Sequence, residues 1–186
     1  MKKHIGYFAA TVLIFTLQGC GTPFKGTTTF FYANGPVNDS ASAAVVPRAS
    51  QANSLEWGTY RDQIESQLQE NGLEIESEQA ADYLVVIDYA IDASGETSTY
   101  AKPRYYEGNV VGITNETRTI HQRSLMVSFY RKGTNLATDT KPIAQIRVLS
   151  AGSSNELARV MPILARQAFY KWPGESGKVY NWTATE

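Results

Sequence analysis

Asp88 is the residue of this chain best placed to do chemistry. It is a carboxylate inside the apolar run DYLVVIDYAID of residues 82–92. In an extended strand, alternation puts Asp82, Asp88 and Asp92 on one face with Leu84, Val86 and Ala90. A carboxyl in apolar surroundings takes a raised pKa and serves as a general acid, or as one half of a glycosidase pair. The competing reading is structural: a pairing with Arg or Lys, or a point where the sheet face opens to water. His121 is the second candidate. His4 falls in the N-terminal leader, so His121 stands alone in the remainder. One histidine without cysteine partners does not build a zinc site of the usual kind, and no G-x-S-x-G context accompanies it. Its plain reading is a sheet residue beside a hairpin. Gly174-Glu175-Ser176-Gly177-Lys178 lacks the first glycine and the closing Ser or Thr of a phosphate loop, and it follows a helix, so it is rejected as one. No catalytic residue, no metal ligand and no cofactor is expected, with a hydrolase acting through Asp88 and a second carboxylate as the alternative.

Binding chemistry has a better candidate. The chain holds 11 tyrosines, and Tyr100, Tyr105 and Tyr106 cluster with Lys102, Arg104 and Arg118 in the polar segment 93–120. Tyr and Arg are the types enriched in binding hot spots, because each combines a large contact area with a polar end. The candidate binding residues are therefore Tyr100, Arg104, Tyr105 and Tyr106. The bland reading is that tyrosines favour strands and stiffen an edge.

The only cysteine, Cys20, closes Leu17-Gln18-Gly19-Cys20. Lys2 and Lys3 precede a short apolar stretch over residues 5–15, and a small residue precedes the cysteine, which is the layout of a secretory signal. The apolar stretch is shorter than the roughly 20 residues that cross a hydrocarbon core. The ending resembles a bacterial lipobox, in which the cysteine is lipidated and becomes the first mature residue. Two or more acyl chains anchor stably, at about 0.8 kcal/mol per buried CH2. The expected organisation is a lipoprotein signal at 1–19, a lipidated N-terminus with a first strand and linker at 20–53, and a single domain at 54–182. Gly21 follows Cys20 where an Asp would favour inner-membrane retention, so the expected address is the periplasmic face of an outer membrane.

Loss of Lys2 and Lys3 with the leader takes the formal charge from −1 to −3. No basic surplus argues for nucleic acid, and no basic stripe argues for an electrostatic membrane contact. With Cys20 lipidated no disulfide forms within the chain, so packing alone must hold the domain together.

The elements that position these residues follow from pattern. TTTFFYA at residues 27–33 reads as a first strand, and residues 36–53 as a linker or long loop. Trp57, Tyr60, Ile64 and Leu68 recur at helical spacing after Asn53 or Ser54, with Glu56 three residues beyond Asn53 as in a capping box, and Asn71-Gly72 ends the helix. Residues 82–92 form the strongest strand. A hairpin is expected around Glu107-Gly108-Asn109, strands at 123–131 and 143–149, and a short strand at 136–138. A last helix opens with an S-x-x-E box at Ser153 to Glu156 and buries Leu157, Met161, Leu164, Ala165, Ala168, Phe169 and Trp172 around Pro162. The expected fold is α+β: a mainly antiparallel sheet of about five or six strands with two helices packed on one face.

Four stretches occur in a telling order: the lipobox at Cys20, Gln69-Glu70-Asn71-Gly72-Leu73, Ala81-Asp82-Tyr83-Leu84-Val85-Val86, and Phe169-Tyr170-Lys171-Trp172-Pro173. In this the chain resembles a family of bacterial lipoproteins carrying domain of unknown function 4136. The chain departs from that pattern in its long polar 93–120 segment and in Lys141-Pro142, where members often carry a Trp. The resemblance implies an envelope lipoprotein with no established activity and brings no catalytic residues with it. The expectation is a lipid-anchored cell-envelope protein with a binding or structural role, docking to an envelope protein or glycan and attached to the membrane by its N-terminal lipid. The alternatives are an accessory or assembly lipoprotein of a membrane transport complex, and an envelope-polymer hydrolase using Asp88.

Overall fold

The computed structural model describes residues 24–185 except 39, 93, 139 and 140. The leader at 1–19 and Cys20 lie outside the described residues. The elements in chain order are β1 (Phe24–Tyr32), β2 (Ser42–Val45), α1 (Leu55–Glu70), β3 (Glu74–Ile75), β4 (Tyr83–Ile91), β5 (Glu96–Tyr106), β6 (Asn109–Arg131), β7 (Ala144–Gly152), α2 (Leu157–Phe169) and β8 (Val179–Ala184).

Seven strands run in the order β3-β2-β4-β6-β7-β1-β8, and β5 pairs with β6 off that path. All pairings are antiparallel except those of β2, which is parallel to both β3 and β4. The fold is α+β, but the sheet has eight strands rather than five or six. The missed strands are short or weakly marked. β2 runs through Ala43 and Ala44 inside the segment read as a linker, and Ala is depleted in strands, so register against β4 makes it a strand and not its own propensity. β3 has two residues, and β8 has six beyond the last helix. Residues 136–138 form no strand.

Both helices pack on one face of the sheet. Phe30 of β1, Val85 and Ile87 of β4, Leu125, Val127 and Phe129 of β6, and Ile146 and Val148 of β7 meet Tyr60, Ile64, Leu68, Met161, Leu164 and Phe169 there. α1 buries the stripe its spacing required. Its cap is Ser54, whose hydroxyl accepts the Trp57 N–H at 3.2 Å, while Glu56 accepts the Tyr60 hydroxyl at 2.7 Å instead of closing a box. At the other end the Leu73 amide reaches the Leu68 carbonyl at 3.0 Å and Leu73 is buried. The S-x-x-E box of α2 does not form either: Glu156 occupies the cap position without a side-chain bond, and the Ser154 hydroxyl accepts the Glu156 amide at 3.3 Å. α2 is pinned to the sheet by Thr28, whose hydroxyl donates to the Gln167 carbonyl at 2.8 Å and accepts the Trp182 indole N–H at 3.1 Å.

Among the described residues the opposite face is covered only at one end. Ala44, Val46, Ala81, Leu84, Val86 and Tyr130 form a small second cluster with Leu136. Beyond it Asp88, Met126, Arg147 and Leu149 line a shallow open depression of about 370 Å³.

Candidate functional site

β5 and the first half of β6 form a β-hairpin arm. β6 has 23 residues, and only its second half lies in the sheet. Residues 121–129 pair with β7 and 123–131 with β4, whereas 109–120 pair only with β5. The arm is thus a two-stranded extension about 35 Å long at ~3.3 Å per residue. Every residue of β5 is exposed. The turn is Glu107-Gly108, both at positive φ (49° and 82°), as a two-residue type I′ turn requires. Asn109, expected in the turn, pairs instead with Tyr106.

The base of the arm explains two of the titratable candidates. Asp92 accepts the hydroxyl and amide of Ser94 at 2.7 and 3.0 Å, and with the Gly95 amide these hold its carboxyl below the usual range. Gly95 sits at φ 63°, where a Cβ would lie 2.5 Å from the Thr119 methyl and 2.9 Å from the His121 ring. His121 is buried and its Nδ1 is 2.7 Å from the Asp92 carbonyl. These groups fix the point at which β6 leaves the sheet, and His121 is a sheet residue beside a hairpin.

Asp88 is committed elsewhere. Its two oxygens accept the Arg48 Nε and Nη2 at 2.6 and 2.8 Å, a bidentate pair. Among the described residues that line its depression Asp88 is the one carboxylate, and Asp92 lines the adjoining one. Asp88 thus takes the structural reading, a pairing with Arg. Asp82 is also structural: it accepts the Ser42 amide and hydroxyl at 3.0 and 2.9 Å, ties β2 to β4, and is held below its ordinary pKa by those bonds. Because the Arg48–Asp88 pair is open to solvent, Asp88→Asn is expected to lower stability by no more than about 1 kcal/mol in urea unfolding. A loss of several kcal/mol would contradict this.

The four candidate binding residues all lie on the arm, but on two faces. Cross-strand register places Glu96, Ser98, Tyr100, Lys102, Arg104 and Tyr106 of β5 with Ile120, Arg118, Glu116, Thr114, Gly112 and Asn109 of β6. On this face Lys102 lies 3.0 Å from Glu116, and the Lys102 ammonium and Tyr100 hydroxyl hold the Glu116 carboxyl low. The other face pairs Thr97 with Thr119, Thr99 with Thr117, Ala101 with Asn115, Pro103 with Ile113 and Tyr105 with Val110. Tyr105 is therefore separated from Tyr100, Arg104 and Tyr106. This second face carries no charge, and a single bulge near the tip, where Val111 is the extra residue, keeps the alternation on β5. Sequence reasoning missed Ile113, Val110 and the threonine ladder as one surface, although the confinement of Glu96, Lys102 and Arg104 to even positions was the readable sign.

Among the described residues, no group of three or more His, Cys, Asp or Glu is placed to hold a metal ion. Among the same residues, no helix is long and apolar enough to cross a membrane.

The fold and the arm define an α+β domain with two helices on one face of a mixed sheet. The chain belongs to the family of the domain of unknown function DUF4136, which matches it over residues 20–174. No curated protein matches the chain. Among solved structures it is similar to a PDZ domain protein from Parabacteroides distasonis ATCC 8503, at 10% identity and a TM-score of 0.52, over 88% of this chain and 39% of that one. The chain thus spans well under half the length of that protein, and the likeness is one of fold. It is also similar to a PelC dodecamer from Paraburkholderia phytofirmans (10% identity, TM-score 0.40, 77% of this chain and 96% of that one). A third similarity is to a minor lipoprotein from Acinetobacter baumannii (13% identity, TM-score 0.36, 71% and 91%).

Proposed function

We propose that this protein is a lipid-anchored envelope lipoprotein, held through Cys20 at the periplasmic face of an outer membrane, that docks to an envelope partner through its arm. The observation that carries the reading is the arm itself. Among the described residues β5 pairs only with β6, so its outer edge offers unpaired backbone N–H and C=O groups beside Tyr105 and Tyr106. Such an edge recruits a partner strand by β-augmentation, and neighbouring side chains select which strand. Tyr100, Arg104 and Tyr106 share the face that carries the arm's paired charges, which suits a polar protein or glycan surface. A permanent anchor raises the effective concentration of the domain for partners on the same membrane, so a modest affinity suffices. If the partner belongs to a transport complex, the protein is an accessory of that complex.

The test is in-cell crosslinking of the full-length protein, pull-down and mass spectrometry. It is run beside a variant whose residues 98–118 are replaced by a two-residue turn. A discrete partner captured by the wild type and lost with the shortened arm is expected. The same background from both proteins overturns the docking reading.

A further inference from the structure

We propose that the uncharged face of the arm lies on the lipid bilayer, leaving the charged face for the docking partner. The proposal rests on the reading of Cys20 as the anchor and deepens the role given to the arm.

Three observations converge. The first is where the arm leaves the domain. Gln122 at its base stands opposite Ala151, Ala151 opposite Lys25, and Phe24 is the first described residue of β1. The arm and the start of β1 therefore share one end of the sheet. Cys20 precedes Phe24 by four residues. A fully extended chain covers at most about 14 Å over that distance. An anchored domain is then held with this end against the membrane.

The second is the mismatch of lengths. An arm of about 35 Å at ~3.3 Å per residue cannot stand upright between that end and a bilayer only about 14 Å away. It has to lie along the surface, with one of its two faces against the lipid.

The third is the segregation of charge. Glu96, Lys102, Arg104, Glu116 and Arg118 all sit on one face. The other face is neutral throughout: a threonine ladder near the base, with Thr97 3.2 Å from Thr119 and Thr99 3.2 Å from Thr117, then Pro103, Ile113, Tyr105 and Val110 toward the tip. Ile113, Tyr105 and Val110 are 70%, 66% and 59% exposed, with no segment of the described chain over them. A charge-free face that is polar near the base, with the threonines and Asn115, and apolar toward the tip, opposite a charged one, suits an element lying in the membrane interface, and a tyrosine with one wet end suits the headgroup level. The threonines meet the headgroup region and the distal residues enter the acyl boundary.

The experiment separates this from the anchor itself. The mature chain carries Cys20→Ser and an N-terminal polyhistidine tag, and binds vesicles of phosphatidylethanolamine and phosphatidylglycerol doped with a nickel-chelating lipid. A single environment-sensitive fluorophore is placed through Val110→Cys on the uncharged face or through Thr114→Cys on the charged one. Expected is a several-fold brightening with a blue shift at position 110, quenched by a nitroxide lipid, and a much smaller change at position 114. A probe at 110 that keeps its spectrum in water while the protein is vesicle-bound overturns the proposal, as does equal brightening at both positions. So does a probe at 110 that changes only when an envelope protein fraction is added, which would give that face to a protein. Lipidation is read separately, by palmitate incorporation into wild type and Cys20→Ser in cells. The arm result stands or falls without it.

Discussion

Phe30→Ala is expected to remove about 3–5 kcal/mol of stability, the range for truncating a fully buried phenylalanine. Phe30 is 0% exposed on β1, which pairs with β7 on one side and β8 on the other. Its ring centroid lies 5.7 Å from Tyr180, 6.1 Å from Trp172 and 6.4 Å from Tyr32, so truncation opens a cavity shared by β1, β8 and the segment after α2. The surroundings cannot easily collapse. Trp172 is already stacked on Phe129 at 5.3 Å and tilted against Phe169 at 5.7 Å. The backbone at Gly174 approaches so closely that a Cβ there would lie 2.4 Å from the Phe30 ring. Against a total of about 5–15 kcal/mol for a domain, the loss is a large fraction of what holds the chain folded. Urea unfolding followed by tryptophan fluorescence reads it directly. A midpoint shift equivalent to less than about 1.5 kcal/mol would mean that the cluster repacks, contrary to this account. The arm takes no part in this cluster, so the variant's arm is expected to keep its partner binding at temperatures where the domain remains folded.

What the sequence disclosed and what it hid divide along a physical line. α1 was legible because its signals are local: Trp57, Tyr60, Ile64 and Leu68 recur at the helical period, and Asn71-Gly72 closes it. β4 was legible because its apolar run is long. β2 was not, because Ala43 and Ala44 carry no strand preference and become a strand only between β3 and β4. The caps failed for a related reason. Glu56 has the right spacing for a box, but the Tyr60 hydroxyl one turn along α1 takes it, and Glu156 becomes the cap of α2 itself instead of its third residue.

The candidate site shows the same division. The turn of the arm was readable from Glu107-Gly108, yet its length was not, because Thr- and Arg-rich strands without a core show no apolar period. The two faces became distinct only once Tyr105 was seen to pair with Val110 and Tyr100 with Glu116. Asp88 stood out in sequence as a carboxylate in an apolar run, but its partner Arg48 lies 40 residues earlier in a stretch read as loop, and nothing local could pair them.

Arg123→Ala is the second large effect expected, about 2–5 kcal/mol by analogy with other large-to-small core substitutions, whereas Arg123→Met is expected to lie close to wild type. Arg123 is 2% exposed and is among the largest side chains fully buried. Among the described residues no carboxylate pairs with it. Its Nε and Nη2 donate to the Ser154 carbonyl at 3.2 and 2.9 Å, its guanidinium lies 5.3 Å from the centre of the Phe24 ring, and its Nη1 is buried without a partner. Burial pushes the guanidinium below its ordinary pKa, the direction expected when a charged form is desolvated and not compensated. Two effects therefore oppose one another. The stem and the stacked guanidinium fill volume at the point where β1 begins and β6 leaves for the arm, and alanine would empty it. The charge itself is a liability there, and methionine retains most of the volume while shedding it. The backbone at Gly152, where a Cβ would sit 2.8 Å from Nη2, leaves no room for the chain to close the gap. Thermal unfolding of the two variants decides between packing and charge. A methionine variant as damaged as the alanine one would show that the bonds to Ser154 carry the stability. An alanine variant close to wild type would show that this end of the sheet relaxes freely, and a rigid seat for the arm would then be lost with it.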